Sequence, residues 1–200
     1  MRETTSWEAW RVWPAQWLRP EPVPSWFPEP RPLEVDVGCG KGRYLLARAA
    51  ARPDRNLLGI DRMLRRIRKV CRKACLAGLA NVRLLRLDAA YAVSYLLPPA
   101  SVDRYTVFFP DPWPKARHHA HRLFDERFNA ALLRTLTPGG TLYLATDHRP
   151  YFEEIVALLG QERGFRRIDP YLPSEEEVTE FERRHAPHGP IHRAGYRRVG

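Results

Sequence analysis

Cysteine is scarce, with only Cys39, Cys71 and Cys75 in 200 residues. An odd number without Cys-x-x-Cys spacing indicates neither a disulfide framework nor a zinc ribbon, and implies a reducing, intracellular setting. Lysine is nearly missing too, occurring only at 41, 69, 73 and 115, so the net charge of +10 rests on arginine. No apolar run approaches the roughly 20 residues of a membrane span, and the N-terminus lacks the basic start, apolar run and small-residue cleavage site of a secretory leader. A soluble, cytoplasmic chain is expected. No Gly/Ser-rich or low-complexity stretch marks a second boundary and no internal repeat is visible, which gives one domain with a short N-terminal extension.

What is abundant is positive charge, with 33 Lys+Arg against 23 Asp+Glu and a pI near 10.0. That balance suits a polyanion such as nucleic acid; a general compositional bias toward arginine produces the same excess, and charge alone leaves both open. Residues 1–32 hold five of the six tryptophans (Trp7, Trp10, Trp13, Trp17 and Trp26) and a dense set of prolines, so they cannot form one regular element. The first four tryptophans follow near-helical spacing. They form either an amphipathic flap over the domain or an RNA-stacking or dimer surface.

From Leu33 the texture changes to short apolar strands alternating with helical stretches, the pattern of a doubly wound α/β sheet. Strands are predicted at Leu33–Val37, Asn56–Ile60, Val82–Leu87, Val102–Phe109 and Thr141–Thr146, with Phe165–Ile168 and Ile191–Arg198 closing the sheet around a loop at 169–190. Helices are predicted at Arg43–Ala51, Arg62–Ala77, around Ala89–Leu97, at Phe124–Leu136 with a turn at Pro138-Gly139-Gly140, and at Tyr151–Leu159. The helix over 62–77 is expected to bury Met63, Leu64, Ile67, Val70, Cys71, Ala74 and Cys75. Its arginines and lysines then form a solvated face or meet phosphates.

In such sheets a ligand lies beyond the carboxyl ends of the strands. The first strand ends in Asp36-Val37-Gly38-Cys39-Gly40-Lys41-Gly42, whose glycines permit close backbone approach and a tight turn into a helix. It is not a phosphate loop, because Gly42 stands where Ser or Thr is needed, and the third glycine of a dinucleotide fingerprint falls on Arg43. The second strand ends at Asp61, where a carboxylate can accept from ribose hydroxyls, and the third at Asp88, where one can accept from an adenine amine. One acid at a strand end is as often a helix cap or turn residue. Three in succession after glycines point to an adenosine-containing ligand, with nicotinamide cofactors still open.

After the fourth strand, Phe109-Pro110-Asp111-Pro112-Trp113-Pro114-Lys115 alternates proline with other residues. Each proline keeps its predecessor out of the α region, so Phe109, Asp111 and Trp113 are expected to be extended in a stiff loop that fixes a carboxylate at the carboxyl edge. Lys115, Arg117, His118, His119, His121 and Arg122 follow as a cationic run placed to meet phosphates. Three close histidines also raise a metal site, against which stands the lack of Cys or carboxylate at matching spacing.

The run Phe-Phe-Pro-Asp-Pro-Trp-Pro-Lys with Arg117 and His118 resembles the signature of the bacterial tRNA (guanine-N7)-methyltransferase family. The resemblance continues, in order, through Asp36–Gly42, Gly59–Asp61, Asn81–Asp88, Gly139-Gly140, Ala145-Thr146-Asp147, Thr179-Glu180-Phe181-Glu182 and Gly189-Pro190-Ile191. It implies a class I S-adenosylmethionine-dependent methyltransferase fold, Rossmann-like and doubly wound, with a mostly parallel seven-stranded sheet over 33–200 and residues 1–32 as an extension. It further implies methylation of guanine at position 46 in the tRNA variable loop. Carried over by motif, the cofactor contacts fall on Asp36, Gly38, Gly40, Asp61, Asp88 and Asp111, Asp111 is also the catalytic position, and the substrate positions are Lys115, Asp147, Thr179, Glu180, Phe181 and Glu182. The family often has Glu where this chain has Asp36 and Asp61. No metal is implied, and monomer and homodimer are both open. Rival readings are a class I methyltransferase with another acceptor and a non-catalytic RNA-binding module.

Overall fold

The computed structural model describes residues 6–200, so the first five residues of the expected N-terminal extension lie outside the described residues. Eight strands form one sheet: β1 (Arg11–Val12), β2 (Leu33–Val37), β3 (Asn56–Asp61), β4 (Val82–Arg86), β5 (Val102–Phe108), β6 (Leu136–Thr146), β7 (Phe165–Ile168) and β8 (His192–Arg198). Their order is β1-β4-β3-β2-β5-β6-β8-β7, with parallel pairing except where β8 lies antiparallel to β6 and to β7. The helices are α1 (Arg43–Ala51), α2 (Leu64–Leu76), α3 (Ala89–Tyr91), α4 (Glu126–Thr135), α5 (Arg149–Gln161) and α6 (Glu180–His185). Among the described residues no helix is long and apolar enough to cross a membrane.

β2 is buried along its whole length because helices cover both faces of the sheet. Its period-two alternation sends Leu33, Val35 and Val37 into the larger core with α4 and α5, and turns Glu34 and Asp36 toward α1. On the α1 face a second core joins Leu45 and Ala49 of α1, Ile67, Val70, Cys71 and Ala74 of α2, and Leu57, Val82 and Leu84 of the strands. The close seating of α1 explains Gly59 on β3, where a Cβ would stand 2.5 Å from Leu45 Cδ2. The order of strands reverses between β2 and β5, so the carboxyl ends of these two strands flank the crevice where such sheets bind ligands.

Several elements differ from the sequence expectation. The sheet has eight strands rather than seven because Arg11 and Val12 pair with Leu84 and Leu85 of β4, a strand too short to show a periodicity. Among the described residues the tryptophan-rich segment is, as expected, not one regular element: it runs through a 3-10 turn at Ser6–Trp10, β1 and a second 3-10 turn at Val23–Trp26. Trp7 and Trp10 do pack on the α2 side as a flap would, Trp10 donating to the Leu79 carbonyl at 2.7 Å, while Trp13 and Trp17 stay exposed. The stretch at 89–97 is one α turn continued by a π-helical turn, Ala92–Leu96. Pro138-Gly139-Gly140 is a bulge within β6, since Val102 pairs with Leu136 but Arg104 with Thr141. α4 starts at Glu126 because the Asp125 carboxylate caps it, accepting from the Phe128 N–H at 2.7 Å. The supposed loop at 169–190 contains α6. Met63 is not part of the buried stripe: it caps α2 at the carboxyl edge, where it is largely exposed.

Candidate active site

A cavity of about 900 Å³ opens at the carboxyl edge of the sheet, lined among others by Gly38, Asp61, Asp88, Asp111, Trp113 and Arg122. Its floor is the loop after β2. Gly38 takes φ +76°, and a Cβ there would meet nothing within 4 Å, so glycine is required by the backbone turn and leaves that side open. The Gly38 and Cys39 N–H groups both donate to the Ile60 carbonyl, at 2.9 and 3.0 Å, which locks the loop to β3.

Asp61, at the end of β3, accepts from the N–H groups of Gly40 (3.2 Å) and Met63 (2.7 Å) and from Arg66 Nη1 (3.2 Å). A carboxylate offers about four acceptor positions, so Asp61 retains roughly one. Asp88 is exposed and caps α3, accepting from the Tyr91 N–H at 3.1 Å. Asp36 takes a different place. It is buried beneath the glycine loop, accepts from Thr106 Oγ1 at 3.3 Å, and is not among the residues lining the cavity. Burial pushes its carboxyl up to about 7, opposed by the Thr106 hydrogen bond and reinforced by the Asp61 charge.

Asp111 is exposed at the cavity's edge on the loop after β5. The expectation that its proline-flanked neighbours are extended is corrected: Phe109 has φ +55° and Trp113 φ +43°. Proline bars its predecessor from the right-handed region, and here Phe109 takes the positive solution while its N–H donates to Ala145 of β6 at 2.7 Å. Such backbone costs on the order of 1–3 kcal/mol per residue and persists only where the surroundings impose it. At the loop's other end the Pro112 carbonyl accepts from Arg122 Nε at 2.8 Å. Arg122, expected in the phosphate-facing run, has a side chain only 6% exposed, pairs with Glu154 and lies over the Tyr151 ring. Lys115, Arg117, His119 and His121 remain exposed, with His118 and His121 packed around Trp113.

The other candidate residues approach from β6 and α6. Asp147 is exposed just after β6. Thr179 caps α6, accepting from the Glu182 N–H at 3.0 Å. Phe181 packs on Phe109, ring centroids 4.7 Å apart, so α6 touches the loop carrying Asp111. Glu180 pairs with Arg184 at 2.8 Å and reaches Lys41 at 4.0 Å. Glu182 is buried and paired with Arg193, its second oxygen without a partner. Lys115, Asp147 and Thr179–Glu182 do not line the cavity; of the contacts described, only that of Phe181 with Phe109 joins them to the loop carrying Asp111.

Sequence reasoning passed over a buried ionic cluster behind α6. Arg48 of α1 donates to both Glu34 oxygens at 2.8 and 3.0 Å and contacts Glu177 at 3.5 Å, while the Tyr171 hydroxyl also donates to Glu177. Arg43 Nε reaches the Val178 carbonyl at 2.9 Å. The available signal was Glu34, an acid in the middle of an apolar strand.

Residues 30–191 match a family model described as "Putative methyltransferase". A tRNA (guanine-N(7)-)-methyltransferase of Nocardia farcinica is 40% identical over 155 residues, 75% of this chain and 58% of that protein. One from Nitrosococcus oceani is 39% identical, over 75% of this chain and 64% of its own length, and one from Nocardioides sp. 34% identical, over 88% and 75%. The chain thus spans less than two thirds of the first two. Among solved structures, the 16S rRNA methyltransferase KamB superposes with a TM-score of 0.63 at 18% identity, covering 84% of this chain and 88% of that one, a likeness of fold alone. Over residues 30–191, the chain belongs to the methyltransferase family that includes these tRNA (guanine-N(7)-)-methyltransferases.

Proposed function

We propose that this chain transfers a methyl group from S-adenosylmethionine to N7 of a guanine in tRNA, at position 46 of the variable loop. The observation that carries the reading is the convergence of Asp61, Asp88 and Asp111, from the ends of three parallel strands, on one cavity floored by Gly38. The relatives' names support the acceptor. Residues 33–200 form the methyltransferase unit and 1–32 its extension, acting in the cytoplasm.

The residues fit the cofactor. Acceptor-only carboxylates suit its ribose hydroxyls and adenine amine, and the open side of Gly38 admits close approach of a ligand to the backbone. The one acceptor position left on Asp61 suits a single hydroxyl, and Asp88 keeps an oxygen for the amine. When bound, S-adenosylmethionine supplies an electrophilic sulfonium methyl. Guanine N7 has an in-plane lone pair and needs no deprotonation before attack, so what the chain must provide is orientation. Asp111, lining the cavity on the loop after β5, would hold the base and oppose the positive charge that develops on the guanine ring. Asp147 accepts from the guanine N1–H and amino edge, Glu182 and Thr179 fix the α6 side through the Arg193 pair and the helix cap, and Lys115 meets phosphate beside the base. Phe181 sets the α6 side against the Asp111 loop.

The test is incubation with radiolabelled S-adenosylmethionine and unmodified tRNA, followed by nucleoside analysis. Label in 7-methylguanosine of the variable loop is the expected result. Label in another nucleoside overturns the acceptor, and failure to bind the cofactor overturns the chemistry.

A further inference from the structure

We infer that Arg122 is a positioning residue that sets Asp111 through the backbone of its loop, and not one of the cations that meet RNA phosphate. The inference rests on the reading of Asp111 as the catalytic carboxylate. The loop from Phe109 to Trp113 cannot hold itself in place, because Pro110 and Pro112 have no N–H to give and both Phe109 and Trp113 sit at positive φ. Beside the ring contacts of Phe109 with Phe181 and of Trp113 with His118 and His121, two backbone hydrogen bonds tie it from outside. One is the Phe109 N–H on the Ala145 carbonyl of β6, before Asp111; the other is the Pro112 carbonyl on Arg122, directly after it.

Arg122 suits this task through the shape of its head. Its guanidinium plane uses Nε for the Pro112 carbonyl and Nη1 for Glu154, while its face rests on the Tyr151 ring with Cζ 4.8 Å from the centroid. Tyr151 in turn is fully buried and its hydroxyl accepts from the Phe124 N–H at 3.3 Å. The loop is therefore tied through Arg122 to α5, a rigid element packed on the sheet. Two donors at a fixed angle and a stacking face are properties of guanidinium that an ammonium lacks. A phosphate, by contrast, would have to displace or approach the Glu154 carboxylate and reach a side chain that is 6% exposed.

The experiment compares Arg122→Gln, Arg122→Lys, Glu154→Ala and Asp111→Ala in methyl transfer to tRNA, with the salt dependence of tRNA binding measured beside it. Displacing a catalytic group by about 1 Å costs up to about 100-fold in rate. Arg122→Gln and Arg122→Lys are expected to lower kcat by about 10- to 100-fold with KM for tRNA and the salt slope unchanged. Glu154→Ala, at a side chain 40% exposed, is expected to lower kcat several-fold in the same pattern, with urea unfolding measured beside it to show that the variant is folded. In the Asp111→Ala background, under single turnover, Arg122→Gln should add less than about 2-fold, since the two act through one group. A raised KM with a salt slope reduced by about one marks a phosphate contact and overturns the inference; so do an unchanged kcat in Arg122→Gln and Glu154→Ala, and full multiplication of the two effects. If Asp111→Ala itself keeps near-normal activity, the reading of Asp111 is what fails.

Discussion

The carboxyl of Asp36 lies under the glycine loop with the Thr106 hydroxyl for company and, among the described residues, no cation in contact. In the unfolded chain it titrates near about 3.9, whereas burial raises it to about 7 in the fold. Between those values the folded protein holds a proton that the unfolded chain has released, so this group's contribution to stability falls as pH rises from about 4 to about 7 and is flat above. Asp36→Asn, which keeps a partner for Thr106 Oγ1, is expected to remove that slope. Denaturant midpoints across the window test this: the variant should gain on the wild-type protein as pH rises, and parallel curves would show that Asp36 is ionised throughout. The acid itself was legible in the sequence, as were Asp61, Asp88 and Asp111, because the position after an apolar run is read directly. Which of the four face the cavity was not legible. Asp36 points under α1 by the alternation of β2, and Met63 lines the cavity because it precedes the first turn of α2; both depend on what packs where.

Between elements, α1 is the tie that joins the glycine loop to the segment before α6. Arg43 and Arg48 on α1 hold the Val178 carbonyl and the Glu177 carboxylate, and Arg48 is also clasped by Glu34 of β2. Removing one member of a buried charged cluster leaves the others unpaired, at about 3–5 kcal/mol. Arg48→Ala is accordingly expected to lower the unfolding free energy by that amount in urea, while Arg52→Ala, whose partner Asp54 is exposed, should change it by less than about 1 kcal/mol. Equal effects would mean that the cluster is as well hydrated as the surface pair. Elements with a clear apolar period were legible in sequence, among them β2, α1 and β7, whose bounds match. α6 was not, because its six residues show no apolar stripe and it is held by the Thr179 cap and the stacking of Phe181 on Phe109 and His185. β1 escaped notice because two residues among prolines carry no pattern.

For the molecule as a whole, alternation of strand and helix pointed to a mostly parallel sheet under helices, since strands that are apolar on both faces need cover on both sides. The sheet must still end somewhere, and an edge strand offers unpaired N–H and C=O groups to any other chain. On the β4 side that role falls to β1, which pairs with Leu84 and Leu85 and is followed at once by Trp13 and Pro14. A chain beginning at residue 13 is expected to expose the rim of β4 together with the apolar surface that Trp7 and Trp10 cover. Light scattering on this shortened protein should show concentration-dependent self-association beyond that of the full chain; the same state as the full chain would mean that Trp13 to Phe27 protect the rim unaided. Trp7 and Trp10 are thus expected to guard against aggregation: they pack beside a strand just long enough to occupy the edge, and Pro14 beyond it offers no N–H through which a neighbour can extend it.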